Sequence, residues 1–270
     1  MRILAIGDPH GDLKKIRRIP KKMIDIILLT GDLGKIDLLR KLTFENIERR
    51  KKGLKEKKIT KKIDKQISKE VYSSSMDVVR YLSKFAPVYT IYGNVEPIKV
   101  QRKKTSGPDL TKSLKRMKEV EIINDKRIIK KKILIAGLKY FTDTNWVRDF
   151  KPSEFKKKMK EAKKETNKAK KVLKNFGYVD ILVCHQPPYG FLDKVTFKGV
   201  PKQWKGKHAG SKTILNYVRK KQPQYVFCGH IHEGEGRAKI GKTEVYNLGV
   251  AGHKIIEIDK GKIKKIKFIK

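Results

Sequence analysis

Seven side chains of metal-ligating type stand at the ends of short apolar runs: Asp8, His10, Asp32, Asn94, His185, His230 and His232. The runs cover residues 3–6, 26–29, 88–92, 181–184 and 225–228, and each is rich in Ile, Val, Leu or aromatics, as a buried strand is. Two Asp, one Asn and four His are enough donors for a pair of metal ions. Mixed nitrogen and oxygen donors suit borderline divalent ions, Mn first, with Fe, Co, Ni or Zn as alternatives, rather than Ca. A carboxylate shared by two ions would hold them about 3.5–4 Å apart, a spacing that clamps a phosphoryl group and generates a hydroxide nucleophile.

Asp8 and His10 are two residues apart, as are His230 and His232, so on extended backbone each pair points to one side. Asp32 has Gly31 and Gly34 nearby, which let backbone approach a metal or phosphate closely. Taken singly, an Asp after a strand is more often a turn or cap, and a His more often a satisfied core or surface group. Recurrence of the same donor class at five strand ends is what carries weight. If the strands share one sheet, their ends meet at one edge, where open α/β sheets place ligands.

The elements that must position these groups alternate strand-like and helical patterns, which predicts an α/β fold. Residues 13–19 read as a short helix stopped by Pro20. Residues 36–70 form a Lys-rich segment of roughly helical spacing that Gly53 interrupts, and 76–85 reads as a further helix. Residues 152–176 are a second Lys-rich helix, opened at Pro152 and closed near Gly177. A third runs over 211–220, with Ser211 as its N-cap. Hairpins are expected around Asp125-Lys126 and around Asp259-Lys260-Gly261. The chain, 1–270, reads as one domain with Lys-rich helical embellishments near 36–70 and 152–176.

Lys and Arg number 68 against 28 Asp and Glu, a formal net charge of +40. Two readings stay open: compositional bias on a solvated surface, or a surface that binds nucleic acid or other polyanions non-specifically. The excess lies in Lys runs rather than Arg/aromatic patches, which argues against specific readout. No apolar run approaches the roughly 20 residues that span a bilayer, and residues 1–6 leave no room for a secretory signal, so the expected location is cytoplasmic, without membrane insertion. Cys184 and Cys228 each precede a His on a strand and are expected to be buried reduced thiols facing away from it.

In order along residues 1–253, Gly7-Asp8-Pro9-His10-Gly11, Gly31-Asp32-Leu33-Gly34, Gly93-Asn94-Val95-Glu96, the His185 segment and Gly229-His230-Ile231-His232 resemble the motifs of the calcineurin-like metallophosphoesterase superfamily. The resemblance implies two mixed β-sheets packed as a sandwich flanked by helices, an α/β/β/α arrangement. It further implies that Asp8, His10, Asp32 and His232 hold one divalent ion and that Asp32, Asn94, His185 and His230 hold the other, with Asp32 and a water or hydroxide bridging. Asp32, Asn94 and His185 are thereby expected to be catalytic, and Asn94 to touch substrate as well.

Val95 departs from the pattern, because many members carry a His there that protonates the leaving group. Members lacking it resemble small phosphodiesterases that favour diesters with good leaving groups. The expected activity is therefore hydrolysis of a small or nucleotide-like phosphodiester, with phosphomonoesterase, nuclease and non-catalytic metal-binding scaffold as alternatives. Residues 185–193 and 206–211 resemble a subgroup with H-x-P-P-x-G-x-L-D and G-x-H-x-G-S segments. There His208 either faces the phosphate, as a substrate-binding residue, or caps its loop. Glu96 reads as an orienter of its neighbours rather than a ligand, and Asn247 and His253 as peripheral supports. Substrate choice is expected to rest on the loops 100–116 and 186–210.

Overall fold

The computed structural model describes residues 1–96, 108–147, 152–197, 200, 204–259 and 262–267. Two six-stranded mixed sheets face each other. The first contains β1 (Arg2–Ile6), β2 (Ile26–Leu29), β3 (Val88–Thr90), β4 (Val120–Ile122), β11 (His253–Asp259) and β12 (Lys262–Lys267), in the order β12-β11-β1-β2-β3-β4. The second contains β5 (Lys126–Lys130), β6 (Ile133–Leu138), β7 (Ile181–Cys184), β8 (Tyr225–Cys228), β9 (Gly236–Ile240) and β10 (Thr243–Asn247), in the order β5-β6-β7-β8-β10-β9. The central strands run parallel, β1-β2-β3-β4 in one sheet and β6-β7-β8-β10 in the other, so their C-terminal ends share an edge.

Period-two alternation builds the layers. Ile3, Ala5, Ile26 and Leu28 point inward and meet Ile135, Ile181, Val183 and Phe227 of the other sheet. Leu4, Ile6, Ile27 and Leu29 point outward, under α1 (Leu13–Arg18), α3 (Lys61–Leu82) and α4 (Leu110–Lys115). On the opposite face Leu182, Cys184, Val226 and Cys228 lie under α5 (Pro152–Phe176) and α6 (Lys212–Lys221). The result is the four-layer sandwich expected from the family resemblance, not a single sheet. Both cysteines are buried free thiols in the helix-facing layer.

Several local expectations need correction. Residues 61–70 and 76–82 belong to one helix, α3, which follows the separate α2 (Asp37–Lys51) after Gly53 at φ +68°. Thr60 starts α3 by accepting the Ile63 N–H at 3.3 Å. The Ser73-Ser74-Ser75 stretch hides the continuity, because these small residues stand where the Gly34 loop presses in. A Cβ on Gly34 would lie 2.6 Å from Ser75 Oγ, and Ser74 Oγ accepts the Lys35 N–H at 2.8 Å.

No hairpin turns at Asp125-Lys126. There the chain crosses between sheets, from β4 beside β3 to β5 beside β6. Gly137 makes room for the crossing, since a Cβ there would meet Ile123 O at 2.5 Å. The β5–β6 turn falls instead at Lys131 and Lys132, at φ +46° and +69°, and two lysines give no turn signal. β11 and β12 pair antiparallel, while residues 260–261 of the hairpin turn expected between them lie outside the described residues. Of the 100–116 loop, 100–107 lie outside the described residues and 110–115 form α4, capped by Asp109. The β9–β10 hairpin was unanticipated. Among the described residues no helix is long and apolar enough to cross a membrane.

Candidate metal centre

All seven predicted donors converge beyond the shared strand edge. Among them, Asp8, His10 and His232 form one group whose ligand atoms lie within 4.8 Å of one another, and Asp8, Asp32 and His185 form a second. Asp32 Oδ2 is 3.5 Å from His185 Nε2 and 3.8 Å from His10 Nε2, between members of the two expected ligand sets. Asn94 Oδ1 lies 2.9 Å from His185 Nε2. The His230 ring packs 4.9 Å from the His185 ring, and His10 Nε2 is 3.2 Å from His232 Nε2.

The backbone route to this convergence differs from the extended geometry expected of the Asp8/His10 and His230/His232 pairs. β1 ends at Ile6 and β8 at Cys228, so Asp8, His10 and His230 lie in loops, and His232 opens a short 3-10 turn, His232–Gly234. His10, Asp32 and His230 occupy the left-handed region at φ +42°, +48° and +67°. Such positive φ at non-Gly residues costs energy and persists only where surroundings enforce it. As a consequence, His230 turns toward His185, Tyr140 and Trp146, while His232 turns toward Asp8 and His10.

Each oxygen donor is held by dedicated partners. Asp8 is fully buried; its Oδ1 accepts the Thr30 hydroxyl at 2.7 Å and its Oδ2 the His230 N–H at 2.5 Å. Asp32 Oδ1 accepts the Val95 N–H at 2.8 Å. The loops carrying Asp8 and Asp32 are laced by His10 N–H to Asp32 O, 2.9 Å, and Gly11 N–H to Leu33 O, 2.8 Å. Glu96, buried beneath them, accepts N–H groups from Asp32, Leu33 and Gly93 at 3.2, 2.6 and 2.7 Å. It therefore fixes two of the donor loops without pointing a free oxygen into the centre, the orienting part expected of it.

Two glycines allow the donors to approach their neighbours. A Cβ on Gly229 would lie 2.1 Å from Asp8 Oδ1, and one on Gly93 would lie 2.2 Å from Asp32 Oδ1. Asn247, which the sequence placed at the periphery, braces the imidazole loops: its Nδ2 donates to Ile231 O at 2.7 Å and Leu192 O at 3.0 Å.

Charge settles the protonation preferences. Burial opposes ionised Asp8, but His185, His232 and His10 hold its carboxyl well below the usual carboxylate range. Burial together with the Asp32 charge pushes Glu96 upward, against the N–H groups of Leu33 and Gly93. Burial would lower His185, yet Asp32 and Asp8 raise it overall. His230 is driven well below its ordinary value by burial and by His185, so its imidazole is neutral, the form that ligates metal.

The donor set fits a metal pair on two grounds from this structure. His230 Nε2 is buried with no hydrogen-bond partner among the described residues, an orphan that a cation would satisfy. Carboxylates and imidazoles also face one another around a common space, His10 and His232 nitrogen to nitrogen.

His208 does not join the cluster. Its Nδ1 sits 2.5 Å from Asp193 Oδ1, its ring packs against Tyr189, and Asp193 Oδ2 also accepts the Gly190 and Gly210 N–H groups. Ser211 caps α6 by accepting the Ile214 N–H at 3.1 Å, as its position in sequence suggested. Tyr140 and Trp146, absent from the sequence reading, pack on His230 at 5.5 and 5.2 Å. Neither falls in a recognisable motif, so no local signal marked them.

The sandwich and its strand-edge donor cluster define a metallophosphoesterase-type protein, and the chain belongs to the calcineurin-like phosphoesterase family, whose model matches residues 1–234. Over 73 residues it is 44% identical to Metallophosphoesterase domain-containing protein 1 of Homo sapiens, a match covering 27% of this chain and 20% of that relative's length. In fold it is similar to TT1561 of Thermus thermophilus, with a TM-score of 0.53 at 15% identity, covering 97% of this chain and 96% of that one. The phosphopantetheinyl hydrolase of Mycobacterium tuberculosis is similar to the same degree, TM-score 0.53 at 13% identity, over 92% and 89% of the respective chains. The family is dinuclear-metal dependent.

Proposed function

We propose that this chain is a metal-dependent phosphodiesterase acting on a small or nucleotide-like phosphodiester. The observation that supports it most is the convergence of seven donor side chains, with His230 Nε2 left orphaned beside His185. Asp8, His10, Asp32 and His232 would hold one ion, and Asp32, Asn94, His185 and His230 the other. Bound there, divalent cations would supply positive charge to the phosphoryl oxygens and acidify water.

The remaining work falls to the chain. Asp8 and Asp32 bring negative charge that the Thr30, Val95 and His230 hydrogen bonds keep in place. Asn94 turns its carbonyl oxygen toward His185, which leaves the amide N–H₂ to donate to a phosphoryl oxygen. His208 has Nδ1 engaged by Asp193, so Nε2 is the nitrogen that would meet substrate. Val95 contributes a backbone N–H to Asp32 but a side chain that holds no proton. The departing oxygen must then leave without an acid from position 95, which favours esters of acidic alcohols and phenols.

The test is the Mn-supplied protein on bis(p-nitrophenyl) phosphate and p-nitrophenyl phosphate under the same conditions. Diester turnover exceeding monoester turnover is the expected result. Monoester preference would overturn the diesterase reading, and no turnover of either by metal-loaded protein would overturn the enzymatic one.

A further inference from the structure

Beside the donor cluster, a cavity of about 1090 Å³ opens between α5 and the segment 138–147. This volume is at the upper end for small-molecule sites, far more than one nitrophenyl ring needs. Tyr140, Phe141 and Trp146 line it from the sheet side, and Ala162, Ala169 and Val172 from the helix. The two alanines help explain the space: α5 presents small side chains on its inner stripe where larger ones would close the gap.

Tyr140 and Trp146 belong to the cavity and to the centre alike, since their rings also pack on His230. Trp146 further leans on Trp204 at 4.9 Å, and its buried indole N–H finds no acceptor among the described residues. An aromatic wall with an unused donor, adjoining the reacting groups, is suited to a planar group that bears acceptors.

The rim carries charge of one dominant sign. Asp125 pairs with Lys139 at 2.5 Å, and Glu165 turns to the Thr142 N–H at 2.6 Å. Against Glu161 and Glu165 stand Lys164, Lys168 and Lys171. A ligand with negative charge at its outer end matches this rim.

We propose that this cavity receives the organic group of the phosphodiester: an aromatic, nucleoside-sized moiety stacked against Trp146 and Tyr140, with a second anionic group at the α5 lysines. The inference rests on the diesterase reading and names its substrate class. It also gives part of the chain's Lys excess a task beside the centre.

The test compares three diesters that share p-nitrophenolate as leaving group and differ in the other ester: methyl, thymidine 5′-yl, and thymidine 5′-yl with a 3′-phosphate. Stacking predicts that kcat/KM rises about tenfold from methyl to thymidine 5′-yl. The 3′-phosphate should raise it severalfold more. Val172→Phe, which fills the cavity from α5, should collapse the thymidyl-to-methyl ratio toward one. Lys168→Glu, an exposed change that spares the core, should remove the gain from the 3′-phosphate. A wild-type thymidyl-to-methyl ratio near one, or a ratio that Val172→Phe leaves intact, overturns the proposal.

Binding separates this inference from the catalytic one. Both tryptophans of the chain, Trp146 and Trp204, stand in the same stack, so tryptophan-selective fluorescence reports on this place alone. Thymidine 3′,5′-bisphosphate should quench it saturably, and Lys168→Glu should weaken that binding severalfold. Quenching without turnover of any ester would retain the cavity's ligand class while the diesterase reading falls. Absence of quenching would overturn the cavity proposal by itself.

Discussion

The two sheets contribute chemically different halves of the centre. Loops from the first sheet bring every oxygen donor, Asp8, Asp32 and Asn94, together with His10, whereas loops from the second bring only imidazoles, His185, His230 and His232. The oxygen side is fixed by hydrogen bonds, with Glu96 and Thr30 holding its loops from below. On the imidazole side His185 and His230 pack on Tyr140, and His230 also on Trp146, while His185 Nδ1 lies 2.9 Å from Thr30 O and Asn247 ties the backbone. Neither half holds a full donor set, so the site exists only when the sandwich is assembled. A further consequence is that damage to the polar half should be dearer in activity than damage to the packed half.

Asp32→Ala is the severest break, since Asp32 Oδ2 lies between His10 and His185, members of the two expected ligand sets. Diester turnover should fall by more than about 100-fold, beyond the range for outer partners, with the circular dichroism spectrum unchanged. Glu96→Gln comes next. It keeps the size but offers one carbonyl to three N–H groups and turns an amide N–H₂ at the rest, so metal affinity should fall about 10- to 100-fold by calorimetric titration. Retention of full affinity in Glu96→Gln would show that the oxygen side needs no such support.

Val95→His sharpens the account of the missing acid. It should raise monoester relative to diester kcat/KM by about tenfold, less than the roughly 100-fold or more of a fully positioned acid. An unchanged ratio would separate position 95 from leaving-group chemistry. On the imidazole side, Asn247→Ala leaves the Ile231 and Leu192 carbonyls short of a buried partner. It should cost about 1–3 kcal/mol in denaturant unfolding and lower activity less than Glu96→Gln does.

The smallest effect lies far from either half. Asp25 is held below its ordinary 3.8 by the Arg2 N–H and by Lys131. Its folded-state pKa is depressed, so its contribution to stability is present above 3.8 and is lost as pH falls through the lower folded value. The melting-temperature gap between wild type and Asp25→Asn should therefore be open near neutrality and close in acid. A gap independent of pH would remove the ionised carboxylate from the explanation.

The candidate donors were legible in the sequence because their types recur at ends of runs whose apolar character marks buried strands. The paths that bring them together were not. Positive φ at His10, Asp32 and His230 is only weakly signalled by Asp and His, which adopt it more readily than most non-Gly residues, and strand periodicity stops before the loops begin. The same gap hid the turn at Lys131-Lys132, where neighbouring strands impose the conformation. Helix α5 was readable to its ends from Pro152 and Gly177, whereas α3 was split in reading by serines that its neighbour's close approach requires. Tyr140 and Trp146 were missed because their importance lies in what they touch, which only tertiary packing specifies.

Metal stoichiometry with position tests the central claim most directly. Crystals of the Mn-loaded protein, measured at the Mn absorption edge, should give two anomalous peaks per chain, both contacting Asp32, one beside His10 and His232 and the other beside Asn94, His185 and His230. A single peak, or two peaks away from these side chains at saturating Mn, would contradict the account.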